Sequence, residues 1–260
     1  MGKYLAIARV ALMERAAYGA DVLARAGMMV IFLFVFANLW GKVMVGGARF
    51  SGLDHRAIVW YIVVTEVLMT AIPSVGSKIN HEVRTGSFVS YLVRPCNYVL
   101  FHLCSFLGHA SLGIAINGAA GALVATLIVG LIRVRSAHLP IVLLALFLGL
   151  VLNFCLMATI ALISFWVEDN EPFFWIYNKF QLILGGVLIP LDFFPSYLRE
   201  IAEKLPFGYM FYGPARLAVN FSSIAAQKII LGQLIWLVLA GLGLYWVFSA
   251  CVKQVNVNGG

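Results

Sequence analysis

The sequence predicts an all-α integral membrane fold, with six transmembrane helices preceded by a helix lying in the membrane surface. Two observations predict it. Hydrophobic residues make up 62% of the 260 positions and charged residues only 11%, against roughly a quarter charged in soluble domains. The apolar residues also gather into tracts near the ~20 residues that cross a bilayer, joined by short connections that leave no room for a soluble domain.

Residues 3 to 25 read as an interfacial helix, since Leu5, Leu12, Ala16 and Leu23 share one face while Lys3, Glu14, Asp21 and Arg25 lie opposite. The segment also fits the cytosolic end of a long first helix. Span one is expected at about 26 to 40, closing on Trp40 at the Gly41-Lys42 boundary, and span two at about 57 to 72, stopped by Pro73. The third tract, Phe101 to Ile132, is longer than one bilayer needs, so its membrane part is placed at about 110 to 131 with an interfacial lead-in. Gly118 with Ala122, and Gly121 with Ala125, set small residues four apart for close packing. Span four covers about 139 to 166 and ends in the acidic turn Glu168-Asp169-Asn170-Glu171-Pro172. Span five is expected at about 173 to 189. Residues 190 to 220 carry Pro190, Pro195, Pro206 and Pro214 and cannot form one straight helix, so short broken helices are expected there. Span six runs from about 229 to 250, and the polar tail from Gln254 is expected to fray.

The net charge of +7 does not point to nucleic acid, because Lys and Arg are scattered between apolar tracts rather than gathered into a stripe. It suits contact with lipid headgroups. Cys96, Cys104, Cys155 and Cys251 lack paired metal spacing and read as small hydrophobes. The five histidines form no His-Glu-x-x-His cluster, and His102 and His109 stand two turns apart with no acidic residue nearby in sequence. Metal-dependent catalysis in the membrane is therefore not expected, nor is a cofactor bound by this chain. With charges at Arg9, Glu14, Arg15 and Asp21, the first residues do not read as the compact apolar stretch of a signal peptide, so span one is expected to direct insertion itself.

Between spans two and three, residues 77 to 95 are polar. Ser77 to Arg84 can form a short helix with Ile79 and Val83 on one side and Lys78, Glu82 and Arg84 around the rest, ended by Gly86 as a C-cap. A rigid polar helix between spans is what a transporter needs to receive force from a soluble motor, although a solvated loop helix without a partner fits the same residues. With the N-terminus inside, this segment is cytosolic. Counting Lys and Arg over all the loops does not fix the orientation, while the flanks of span one lean toward an inside N-terminus.

The stretch Ile79-x-x-Glu82-Val83-Arg84-x-Gly86, followed by Tyr91-Leu92-x-Arg94-Pro95, resembles the coupling region of the type-two ATP-binding-cassette (ABC) exporter permeases. Gly185-Gly186-Val187-Leu188-Ile189-Pro190-Leu191-Asp192-Phe193-Phe194-Pro195, then Leu205-Pro206-Phe207 and Tyr212-Gly213-Pro214, is similar to the same family's outer region before its last span. The resemblance implies a permease subunit of an ATP-driven exporter in the plasma membrane, in a bacterium the cytoplasmic membrane, with both termini cytosolic. It implies that the permease pairs with a second, identical or related, permease subunit above a dimer of ABC ATPase subunits. Ile79, Glu82, Val83, Arg84 and Gly86 would form the coupling helix. Pro190, Phe193, Phe194, Pro195, Pro206, Phe207 and Pro214 would form an outer gate of re-entrant helices. No Walker A pattern occurs in the chain, so this polypeptide is not expected to be an enzyme, and ATP and Mg would be held by the partner ATPase.

Glu66 and Lys179 place charges inside expected spans two and five, where lipid makes a lone charge costly. They could pair with each other across spans, or Glu66 could face a transport pathway. An ion-coupled secondary transporter using both residues is the competing function, but the inverted repeats and broken central spans common in that class are not visible. Asn117, Asn153 and Gln181 read as polar glue between helices.

Overall fold

A computed structural model describes residues 2–44, 52–132, 135–167 and 170–258. The protein is 85% helical and has no strand among the described residues, so it is an all-α integral membrane protein. Arg49, Arg133, Glu168 and Asp169, which enter the reading of the loops, lie outside the described residues.

The first helix, α1 (Gly2–Ala17), ends at Tyr18, and α2 (Gly19–Val43) begins immediately after it. The break falls seven residues before the expected end of the surface helix at 25, so the span-like helix starts earlier than the composition of residues 19–25 suggests. The charges of that stretch explain the difference. Asp21, in the first turn of α2, accepts from Arg15 Nη1 at 2.7 Å and from Arg25 Nε at 3.0 Å, so the corner holds its charged side chains on one another. Helix α1 also packs along α6 (Tyr98–Val129), where Gly108 admits it: a Cβ there would lie 2.2 Å from the Ala8 carbonyl oxygen.

After α2 the chain returns as α3 (His55–Ala71), capped by the Asp54 carboxylate on Ala57 N at 2.8 Å, and turns at Pro73 into α4 (Val75–Arg84). The short α5 (Phe88–Leu92) leads into α6, an unbroken helix of 32 residues. At 1.5 Å per residue α6 is about 48 Å long, well over the ~30 Å apolar thickness, so the expected interfacial lead-in is part of the same rod. Asn153 and the apolar face around it belong to α7 (Leu139–Leu162), which continues as a 3₁₀ turn to Phe165.

Among the described residues, five stretches are long and apolar enough to cross a membrane: Gly19–Val43, His55–Arg84, Tyr98–Val129, Ser136–Phe165 and Ser223–Gln254. The expected fifth span at 173 to 189 is different. Only Glu171–Leu184 (α8) is helical there, 14 residues and about 21 Å, which is short for a crossing. It stops at Gly185-Gly186, where Gly186 adopts a φ of +69° that an L side chain rarely takes. The unwound stretch is supported from α3: Tyr61 Oη donates to Gly186 O at 2.6 Å and Thr65 Oγ1 to Val187 O at 3.4 Å. Irregular backbone deep in a membrane protein requires such partners. The chain then forms a 3₁₀ turn (Leu191–Phe193), α9 (Ser196–Lys204), α10 (Pro206–Met210) and α11 (Tyr212–Val219) before the closing α12 (Ser223–Asn258). Helix α12 extends to Asn258, so the tail expected to fray from Gln254 is mostly helical.

Candidate functional site

Two groups of residues singled out in the sequence lie at opposite ends of the helical bundle. At one end, α4 presents Ser77, Lys78, His81 and Arg84 to the outside and turns Val75, Gly76, Ile79 and Glu82 inward. Val83 is half-buried against the main core, and Gly86 follows the helix with a φ of +73°, its N–H bonded to Val83 O at 3.1 Å. The αL geometry suits glycine and stops the helix.

Glu82 departs from the expected pattern. Placed among the polar flanks by sequence, it is only 5% exposed. Its Oε2 accepts from Tyr98 Oη at 2.8 Å and lies 3.0 Å from His102 Nε2. Both partners belong to α6 and are buried, so the carboxylate ties α4 to α6 rather than meeting solvent. Its apolar surroundings are built by Phe88, whose ring stands 4.8 Å from Tyr98, 5.1 Å from Phe165 and 6.0 Å from Phe248. On its other side α4 meets α8 through Gly76, where a Cβ would lie 2.6 Å from the Phe174 ring. The aromatic run at 173 to 175 thus packs partly on α4. A charged or polar face outside and a base anchored on its neighbours inside make α4 a projection tied to α6, α7 and α8.

His102 and His109 both have acidic partners that the sequence distance conceals: Glu82 for the first and Glu14, 3.5 Å from His109 Nε2, for the second. Among the described residues no three His, Cys, Asp or Glu side chains gather as a metal site.

At the other end, the proline-rich segment forms a cap of short helices. Pro190 opens the 3₁₀ turn, Pro195 precedes α9, Pro206 starts α10, and Pro214 lies in the first turn of α11. These are positions where the missing N–H costs nothing. The aromatics fasten the cap to the spans. Phe193 contacts Trp40 at 4.6 Å between ring centroids, and Phe207 meets Tyr177 at 5.8 Å and Phe180 at 5.6 Å. Phe194 is half-buried on the cap itself.

Polar anchors unforeseen in the sequence complete it. Gln233 of α12 donates to Ala145 O at 2.8 Å and to Tyr209 O at 2.9 Å, and Trp236 Nε1 donates to Lys204 O at 3.2 Å. A cavity of about 240 Å³ sits inside the cap, with Asp192, Arg199, Glu203, Arg216 and Lys228 around it. Asp192 lies 3.6 Å from Arg199 and 3.4 Å from Arg216 and accepts from Tyr212 Oη at 3.1 Å. Glu203 bridges Arg199 at 2.7 Å and Lys228 at 3.2 Å. Partial burial opposes the Glu203 charge, but hydrogen bonds from Arg199 and Lys228 outweigh it and hold the carboxyl below the usual range.

Glu66 and Lys179 are not brought together. Glu66 is 8% exposed inside the bundle, and its carboxylate has no hydrogen bond or ion pair among the described residues. Lys179 lies on the exposed side of α8 with its Nζ 5.3 Å from the Trp175 ring centroid. The expected glue residues do bridge helices. Asn117 donates to Thr70 Oγ1 at 2.8 Å, and Asn153 Oδ1 accepts from both Tyr177 Oη at 2.6 Å and Gln181 Nε2 at 2.8 Å. Tyr177 and Gln181, one turn apart, are the buried residues of α8, so this triad holds the short helix on α7.

The family model described as "ABC-2 family transporter protein" matches residues 23–259, nearly the whole chain. The chain belongs to that family and is an ABC-2 type membrane permease. No individually curated protein matches it.

Proposed function

We propose that this ABC-2 family permease is the membrane subunit of an ATP-driven exporter, powered through α4 by a dimer of ABC ATPase subunits and paired with a second permease subunit. The observation that carries the reading is the construction of α4, an exposed polar face on a base locked to α6 by Glu82 and to α8 through Gly76 and Phe174. Closure of the ATPase dimer would press on His81 and Arg84 and pass through this base into the spans. The cap would then open as an outer gate, its short helices moving as pieces because the prolines have already broken them. In this orientation α4 and both termini are cytosolic and the cap faces outward. Glu66, buried without a partner, would face the pathway. The exposure of Lys179 and its distance from any ion pair with Glu66 argue against the ion-coupled alternative, in which the two would act together.

The experiment is a co-purification of the full chain with its ATPase, comparing wild type with Arg84→Glu. The variant is expected to insert normally and to lose ATPase capture or transport-coupled hydrolysis by about tenfold or more, the scale of a reversed charge at a contact. Wild-type coupling in the variant would overturn the placement of the motor at α4.

A further inference from the structure

A second cavity, remote from the cap, opens where α1, α2, α4 and α6 meet. It encloses about 210 Å³ and is lined by three cations, Arg15, Arg25 and Lys78, with Glu14 as its lining carboxylate and His109 beside it. Glu14 is turned to His109 at 3.5 Å. Asp21 lies behind the two arginines, outside the lining, and takes one N–H from each. A guanidinium has five N–H donors, so Asp21 orients both groups and leaves most of their donors available. Lys78 is exposed and has no side-chain partner among the described residues.

The cavity also has a definite place in the fold. It lies at the Tyr18 break, where the apolar stretch Gly19–Val43 begins, and at Pro73, between the end of the apolar α3 at Ala71 and the start of the polar α4 at Val75. Apolar helix gives way to polar sequence at both walls, as it does at a lipid headgroup layer, and basic recesses between spans suit anionic groups there.

We infer that this cavity binds a phosphate-class anion, held by Arg15, Arg25 and Lys78 and supplied either by an anionic lipid headgroup or by free phosphate. Bound there, the anion would join the α1–α2 corner to α4, so that occupancy stiffens the helix on which the exporter reading depends. The binding itself stands on this geometry and needs neither ATPase nor transport.

The test uses the full chain in detergent. In one arm native mass spectrometry measures retention of phosphatidylglycerol against phosphatidylcholine from an equimolar mixture; in the other, inorganic phosphate is titrated by calorimetry without added lipid. Binding in either arm should fall about fivefold in Lys78→Gln, and further in Arg15→Gln/Arg25→Gln, the scale for each cation removed near an anionic surface. Arg9→Gln, which removes an exposed cation of α1 away from the cavity, should leave it unchanged. Selective retention of phosphatidylglycerol with feeble phosphate binding identifies the headgroup as the source; phosphate binding sensitive to Lys78 identifies the free ion. Equal retention of the two lipids with no phosphate binding, or a loss in Lys78→Gln no greater than in Arg9→Gln, overturns the assignment.

Discussion

Removing the Glu82 carboxylate tests the base of α4 directly. In Glu82→Ala, Tyr98 Oη and His102 Nε2 lose the oxygen they share at 2.8 and 3.0 Å, in a site where Tyr98 is 3% and His102 1% exposed. Each buried polar group left without a partner costs about 1–3 kcal/mol, so detaching α4 becomes easier by about 2–6 kcal/mol. Glu82→Gln keeps one acceptor oxygen and should cost about 1–2 kcal/mol. Hydrogen exchange over residues 75–84 reads the difference, because it reports local opening. Protection of α4 should drop at least about thirtyfold in Glu82→Ala, the lower bound of that range, and less in Glu82→Gln. Arg84→Glu, on the exposed side, should leave it unchanged. Wild-type protection in Glu82→Ala would refute the brace, and so would an equal loss in Arg84→Glu, since then charge anywhere on α4 would suffice.

Three further outcomes follow from the same geometry. Gly108→Ala would set a Cβ 2.2 Å from the Ala8 carbonyl and must push α1 off α6, costing about 1–3 kcal/mol and lowering the melting temperature, whereas Gly118→Ala, with nothing within 4 Å, should be neutral. In the cap, the lowered Glu203 pKa means its stabilisation is present above the ordinary carboxylate range and is lost as pH falls through the lower folded-state value. Glu203→Gln should therefore melt below wild type at pH 7 and converge with it in acid, and a gap that persists there would show that the ion pairs are not its source. Glu66→Gln should insert and fold normally but reduce export in a reconstituted transport assay; unchanged export would remove Glu66 from the pathway.

The residues that misled sequence reading did so for physical reasons. Glu82 reads as a surface charge because its helix is polar, yet its neighbours come from α6, 16 and 20 residues away. Local periodicity carries no signal for such a partner. Lys179 reads as a charge in need of a buried partner because it lies in an apolar tract, but it stands on the exposed side of α8, where its Nζ meets the face of Trp175. The Gly185-Gly186 pair was the visible hint that α8 would stop early, while the support from Tyr61 and Thr65, more than 120 residues distant, was not visible at all. The break at Tyr18 is similarly accompanied by Arg15 pairing across it with Asp21, which also pairs with Arg25.

Composition and tract length alone determine that this is a helical membrane protein, because backbone and apolar side chains have few other ways to satisfy themselves in lipid. The motif around Ile79 to Gly86 and the prolines from 190 to 214 likewise mark α4 and the cap, since turn and cap chemistry is local. Which face of α4 is free, how the cap is fastened, and where Arg15 and Arg25 converge with Lys78 were decided only by tertiary structure. Those properties belong to pairs of residues far apart in the chain, and packing brings them together.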